Sequence, residues 1–294
     1  MLGKLATRFL IVCTLLVVTY GLGKSYALYT ERKARKAQIK REALHEKKSF
    51  VVLVPSYNNS RWCTKNLRSI LTQEYPNFRV VYIDDASNDG TYEQVSDLLA
   101  QEDSAHRVTL IHNEQRRGVL SNLYHAIRQC HDEEIIVTVD GDDFLAHEGV
   151  LKKLNSVYAD HDVWMTYGSF LDYPSYRQSV VKTAPVPKQV IASQSYRKYE
   201  WVSSHLRTFY AKLFKQIKSE DLKLQGEFLP MAGDLAFMFP MLEMSGRHAR
   251  YLPDILYLYN RANPLNEHKV DVHLQARCAA HVRSLPTYGR LKVL

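Results

Sequence analysis

Glu134-Ile-Ile-Val-Thr-Val139-Asp140-Gly141-Asp142-Asp143 is the stretch on which the reading of this chain turns. Ile135 to Val139 are apolar or β-branched without alternation, the pattern of a strand buried on both faces. The run stops at three carboxylates around one glycine. Carboxylates that close repel one another unless a cation stands among them. Hard divalent cations take oxygen ligands, and Mg²⁺ or Mn²⁺ typically joins one or two carboxylates to a substrate's phosphates. The turn therefore suggests a metal bridging protein and diphosphate. The competing reading is a solvated acidic turn in which Gly141 supplies a positive φ.

Upstream, the same design repeats. Phe50-Val-Val-Leu-Val54 is a continuous apolar run halted by Pro55, Arg79-Val-Val-Tyr-Ile83 ends at Asp84, and Val108–Ile111 forms a third run. Helical patterns separate them: Leu67, Ile70 and Leu71 share one side, Tyr92–Gln101 follows, and Val119–Cys130 sets Leu120, Leu123, Ala126 and Ile127 on one face. Strands alternating with helices through short connections predict an α/β fold with a mostly parallel sheet flanked by helices. Ligands of such sheets bind beyond the carboxyl ends of the strands. Residues 170–200, with Pro174, Pro185 and Pro187, break the alternation and are expected to form an active-site excursion. Helices are predicted again at Leu206–Ile217, Leu235–Met244 and Val270–Arg283.

Two further strand ends carry polar groups. In Asp84-Asp85-Ala-Ser-Asn-Asp-Gly-Thr91 a carboxylate can accept from a nucleobase imide or a ribose hydroxyl, whereas Asp89 or Thr91 can instead cap the next helix. In Val54-Pro55-Ser-Tyr57-Asn58-Asn59, Tyr57 offers a flat face to a base. Further on, Ser203–Tyr210 reads as opening an amphipathic helix, with His205 or Arg207 facing an acceptor. Tyr259–Lys269 reads as a polar segment able to close over a diphosphate.

Taken together, Pro-Ser-Tyr-Asn, Asp-Asp-Ala-Ser-Asn-Asp-Gly-Thr and Asp-Gly-Asp-Asp resemble, in order and spacing, glycosyltransferase family 2 of the Rossmann-like GT-A fold. The resemblance covers roughly residues 50–260. It implies an inverting transferase with a nucleotide-sugar donor, often a UDP-sugar, and Mn²⁺ or Mg²⁺ as cofactor. By resemblance Pro55, Tyr57 and Asn58 line the donor site, Asp84 or Asp85 contacts the uracil, and Asp140 contacts the ribose or sugar. Asp142 and Asp143 hold the metal, with His268 as a further ligand and Lys269 on a phosphate. Arg117, before Arg116, reaches the base or diphosphate. An inverting transferase also needs a general base. The family places it in a Glu-Asp pair opening a helix, and here only Asp234 of Ala232-Gly233-Asp234 matches. Asp234 is the expected base, although a helix N-cap is the simpler role.

Composition narrows the class. With 46% hydrophobic and 24% charged residues the chain reads as an ordinary globular protein. Its formal charge of +8 is concentrated in Thr30–Lys48, beside the apolar run Phe9–Gly23, rather than spread over a folded face. That favours membrane-flanking charge over nucleic-acid binding. The run is short for a span and suits a signal-peptide core, with Ser25 and Ala27 permitting cleavage. Counting residues to Tyr29 makes it an anchor, and the Lys and Arg excess after it keeps the C-terminal side cytoplasmic. The expected organisation is thus a hydrophobic anchor or signal segment at 1–29, a basic helical stalk at 30–48 and a transferase domain at 49–294. That domain divides into a nucleotide-binding half, 49–145, and an acceptor half, 146–294. Cys13, Cys63, Cys130 and Cys278 show neither metal spacing nor a C-x-x-C pair and read as free thiols. A nucleotidyltransferase would carry a Gly-rich basic loop after the first strand, which Pro55–Ser60 is not. A membrane-tethered nucleotide-sugar-binding protein without strong catalysis is the other alternative. The sequence leaves the sugar and the glycan, lipid-linked or protein acceptor open.

Overall fold

Along β1 (Phe50–Ser56) alternate side chains enter two different cores. Val51 and Leu53 join Val81, Ile83, Leu123 and Ile127 on one face of the sheet. Phe50, Val52 and Val54 join Leu67, Ile70, Val80 and Leu154 on the other. A strand whose two faces are both covered has no polar side, which is why the run lacks alternation. The computed structural model describes residues 47–294 together with Tyr29 and Lys33, apart from the side chains of Glu267 and His268. The expected anchor at 1–29 and nearly all of the stalk at 30–48 lie outside the described residues. Among the described residues, no helix is long and apolar enough to cross a membrane. Lys47–Leu294 form one compact unit.

β1 pairs in parallel with β2 (Phe78–Asp84) and β4 (Ile135–Thr138), and β2 with β3 (Val108–His112). Between them run α1 (Cys63–Leu71), α2 (Thr91–Leu99) and α3 (Val119–Arg128). After β4 come β5 (Phe144–Leu145), α4 (Val150–Tyr158), β6 (Met165–Tyr173), β7 (Arg177–Gln178), α5 (Lys188–Ser193) and β8 (Arg207–Tyr210). The chain continues through α6 (Ala211–Phe214), the small hairpin β9 (Lys223–Leu224) and β10 (Glu227–Phe228), α7 (Gly233–Ser245) and β11 (Ala249–Asn260). It closes with α8 (Glu267–Val270) and α9 (Val272–Ser284). The main sheet has the order β3-β2-β1-β4-β8-β6-β11-β5, with β7 beside β6.

This sheet is mixed, which corrects the mostly parallel expectation. β8 lies antiparallel between β4 and β6, and β5 antiparallel to β11. The helix predicted at Leu206–Ile217 is instead β8 followed by the single turn α6. Leu206, Phe209, Leu213 and Ile217 fall at helical spacing, but Thr208, Phe209 and Tyr210 are β-branched or aromatic. The gap between β4 and β6 gives their backbone a ladder on both sides, and tertiary pairing overrides the local period. The 170–200 excursion is also not an active-site loop. Val186, Val190 and Tyr196 are buried in the core, and none of its residues lines the cavity described below. Arg197 anchors it through a two-pronged buried pair with Glu243 of α7, at 2.7 and 2.9 Å.

α7 shows why a helix can be apolar all round. Residues Ala236 to Ser245 are all buried, so it has no solvent face to keep polar. Its first turn is reached through Ala232, whose φ of 54° is unusual for a residue with a Cβ. That local strain sets the direction in which Asp234 leaves the helix.

Candidate active site

The carboxyl ends of β1 and β4 open into a cavity of about 360 Å³. Pro55, Tyr57, Asp140, Gly141, Asp142, Arg207 and Asp234 are among the residues that line it. Val119, Pro230, Leu265 and Val270 stand at its exposed rim.

Gly141 is required by space. A Cβ there would lie 2.5 Å from Ser56 Oγ and 2.9 Å from Asn59 Nδ2. Its φ is not positive, so the turn needs the absence of a side chain rather than a left-handed backbone. The Gly141 amide donates to the Pro55 carbonyl at 3.0 Å, clamping the acidic turn against the end of β1.

The acidic turn is held from behind by β11 and the loop after it. Tyr257 donates its hydroxyl to Asp143 Oδ2 at 2.7 Å, and the Asn260 amide donates to Asp143 Oδ1 at 2.6 Å. Asn263 Nδ2 donates to Asp142 Oδ2 at 2.7 Å. Burial pushes the Asp142 carboxyl up to about 6, against the Asn263 hydrogen bond and with the help of Asp140. Burial raises Asp143 further, and the negative charges of Asp142 and Asp140 add to it. Asp140 is also raised by burial; Arg207 opposes this and Asp234 reinforces it.

Such a turn is short of positive charge, which a divalent cation would supply. Asp140, Asp143 and His205 bring ligand atoms within 4.8 Å of one another. The carboxylates fit Mg²⁺ or Mn²⁺ by their oxygen donors. His205 is otherwise engaged: its Nε2 lies 3.2 Å from Arg207 Nη2. Arginine only donates, so Nε2 accepts and the ring proton sits on Nδ1. Burial and the Arg207 charge keep this imidazole neutral, well below the usual histidine range. Asp140, Asp142 and Asp143 are therefore the residues suited to hold the ion. The side chain of His268, the other expected ligand, lies outside the described residues.

The remaining predicted donor residues divide into two groups. Pro55, Tyr57 and Asp140 line the cavity. Asp84, Asp85, Asn58, Arg117 and Lys269 are not among its lining residues. Asp84 is fully buried, its Oδ2 accepting from the Ser87 amide at 3.1 Å and lying 2.9 Å from His112 Nδ1. Asp85 accepts from the Arg117 and Gly118 amides and from Asn113 Nδ2, each at 2.8 Å. Burial would raise the Asp85 carboxyl, but the neighbouring Asn122 side chain and the hydrogen bonds from Arg117, Asn113 and Gly118 together hold it below the usual range. Asn58 accepts from the Asn88 amide at 3.0 Å and so ties two strand-end loops together. Lys269 donates to the carbonyls of Arg261 and Asn263, at 2.5 and 3.0 Å, and braces the loop carrying Asn263. The structure reverses the order of the arginines. Arg116 lines the cavity with its Cζ 4.0 Å from the Tyr57 ring centroid, whereas Arg117 contributes its backbone amide.

Asp234 faces the acidic turn from the first turn of α7. Its Oδ1 accepts from the Leu235 amide at 2.9 Å and its Oδ2 from Arg207 Nη2 at 3.0 Å. The carboxylate is ordered by two donors and still borders the cavity. No local sequence signal assigns these roles to Tyr257, Asn260, Asn263 and Arg207. Only the concentration of polar residues after the last strand hints at the asparagines.

A GT-A-like α/β domain with an acidic cleft at its strand ends is the class of protein that this fold and site define. Residues 51–222 match the family model described as Glycosyl transferase family 2. That is more than half of the 294 residues, and the chain belongs to this family. It is 25% identical over 222 residues to Glycosyltransferase GlyA of Streptococcus pneumoniae, covering 71% of this chain and 30% of the relative. It is 28% identical over 119 residues to an uncharacterized glycosyltransferase of Haemophilus influenzae, covering 40% and 46% of the two chains. The chain thus spans less than half the length of either relative. Among solved structures it is similar to S. aureus TarS 1-349 in complex with UDP-GlcNAc, with a TM-score of 0.57 and 21% identity over 75% of this chain and 60% of that one. It is also similar to the mannosyltransferase PcManGT of Pyrobaculum calidifontis in complex with GDP-Man and Mn²⁺, with a TM-score of 0.52 and 22% identity over 76% and 59%. At these identities the likeness to solved structures establishes the fold.

Proposed function

We propose that the domain is an inverting glycosyltransferase that uses a nucleotide-sugar donor, a UDP-sugar in the first instance, and a divalent cation. One observation carries this reading: Asp140 and Asp142, of a turn whose three carboxyls are raised by burial, border the same cavity as a separately ordered carboxylate, Asp234. The UDP-GlcNAc and UDP complexes of TarS support a uridine donor, and the Mn²⁺ in PcManGT supports a cation at the acidic turn.

In this reading Tyr57 and Arg116 hold the base end of the donor, and Asp140 holds the ribose or sugar. Asp142 and Asp143 would hold the cation, which would supply positive charge against the leaving diphosphate. Asp234 takes the proton of the acceptor hydroxyl as that oxygen bonds to the anomeric carbon from the face opposite the diphosphate. The anomeric C–O bond to the diphosphate breaks, and the nucleoside diphosphate leaves with the bonding pair. The acceptor itself is unassigned.

Asp234→Asn tests the base. Asn preserves size, can occupy a helix start and can still accept from Arg207. It cannot take a proton, so turnover should fall by roughly 10²–10⁴-fold while UDP affinity and melting temperature hold. The assay is release of the nucleoside diphosphate, UDP or GDP, from a panel of UDP- and GDP-sugars with and without Mn²⁺. Normal turnover would leave Asp234 as a helix cap.

We further infer from Phe9–Gly23 and the basic segment after it that the protein is held at a membrane by residues 1–29, with its bulk on the cytoplasmic side. N-terminal sequencing of membrane-pelleted protein should read from residue 1 or 2. A start at or after Ser25 would show a cleaved signal instead.

A further inference from the structure

We propose that Arg207 is the positioning residue of the base, coupling Asp234 to the acidic turn through His205 and Tyr257. The inference rests on the reading of Asp234 as base. A carboxylate base works only if one lone pair stays aimed at the reacting hydroxyl, and a free Asp side chain rotates. Here each oxygen of Asp234 has one donor, the Leu235 amide on Oδ1 and Arg207 on Oδ2, which fixes the plane of the carboxylate.

Arg207 is itself held. It belongs to β8, paired with Thr138, two residues before Asp140. Its side chain is 8% exposed. The same Nη2 that donates to Asp234 donates to His205 Nε2 at 3.2 Å, which uses both of its protons. The His205 ring stacks on Tyr257 with centroids 4.5 Å apart and planes 9° from parallel. Tyr257 donates to Asp143 and accepts from the Asp140 amide at 3.2 Å. A continuous path of contacts therefore runs from the carboxylates on the donor side to the base.

The cost of this arrangement argues that it serves function. Arg207 Nε and His205 Nδ1 are buried with no hydrogen-bond partner. Native cores rarely tolerate such groups, and two on adjoining side chains mark a constellation kept for its geometry. Lysine has protons enough for both contacts, but its ammonium rides on a flexible stem, whereas the planar guanidinium holds Nη2 in one place.

The test is a cycle of Asp234→Asn, Arg207→Met and the double variant, with Arg207→Lys as the conservative substitution. Readouts are kcat and KM for donor hydrolysis, in which water takes the acceptor's place, UDP affinity with Mn²⁺, and melting temperature. Arg207→Met should lower kcat by about 10–100-fold with donor KM and UDP affinity within about twofold, and Arg207→Lys should recover part of the loss. The double variant should be no slower than Asp234→Asn alone, because a positioning residue has nothing left to position. Normal kcat in Arg207→Met, or losses that multiply in the double variant, would overturn the proposal and leave the base assigned. Normal kcat in Asp234→Asn would remove the base itself. If Arg207→Met does not fold, Arg207→Lys at full wild-type kcat overturns the proposal by itself.

Discussion

Two acidic turns sit at strand ends of the same sheet, and the protein treats them in opposite ways. Asp84-Asp85 after β2 is wrapped in donors, and Asp85 alone accepts from two amides and a side-chain amide. Asp140–Asp143 after β4 is packed against itself, and every one of its carboxyls is raised. Both turns take donors from the fold, but those on Asp85 outweigh its burial, whereas those on Asp142 and Asp143 do not. Buried carboxylates that depress their own ionisation mark a binding site, whereas those lowered by amide donors mark a structural joint. Asp85 does not line the cavity. It fixes the loop that presents Arg116 to Tyr57.

The sharpest way to break the contrast is to neutralise the two turns separately. Asp85→Asn places a donor where two amides already donate, leaving at least one buried N–H unpaired at a cost of about 1–3 kcal/mol. We expect a lower melting temperature and a loss of UDP affinity of at least about tenfold as the Arg116 loop loosens. Asp142→Asn should do the reverse to the metal-free protein. The carboxamide oxygen it introduces can still accept from Asn263, and a buried like charge disappears, so stability at about pH 7.5 should rise by about 1–3 kcal/mol. A destabilised Asp142→Asn would merge the two turns into one class.

The pH dependence carries opposite signs. Asp142 is raised in the folded state to about 6, so its contribution is fully present below the ordinary carboxylate value near 4. It is lost as pH rises from about 4 through about 6. Asp85 is lowered, so its contribution is present above the ordinary value and lost as pH falls through its depressed one. Denaturant melts of metal-free wild type between about pH 4 and 7 should show a falling component that Asp142→Asn removes. Arg116→Ala should give the smallest effect, a roughly two- to tenfold loss of UDP affinity by calorimetry. A single cation–π contact between an exposed arginine and a half-buried ring is worth little more.

The part of the molecule legible in the sequence is the part built from local pattern. β1 to β4 end close to where their apolar runs end, and the acidic turn sits where Asp140-Gly141-Asp142-Asp143 places it. α7 and α9 also fall close to their predicted limits. What escapes a local reading depends on partners distant in sequence. β8 reads as helical because nothing local records the slot between β4 and β6. Tyr257 looks like any polar residue in an apolar stretch, and Arg207, read as facing an acceptor from a helix, finds its place beside residues 140–143 only through β8. Gly141 stands out in the sequence for its backbone freedom, whereas the 2.5 Å approach to Ser56 that requires it appears only in the fold.

The turn after β4 is, on this account, an unfinished charge site, completed by a divalent cation and a nucleoside diphosphate. Calorimetric titration of UDP with and without Mn²⁺, into wild type and the Asp142→Asn/Asp143→Asn variant, tests it most directly. We predict that Mn²⁺ tightens UDP binding to the wild type by about 100-fold or more, and that the double variant stays folded but loses the enhancement. Equal UDP affinity in the two proteins in the presence of Mn²⁺ would contradict the account.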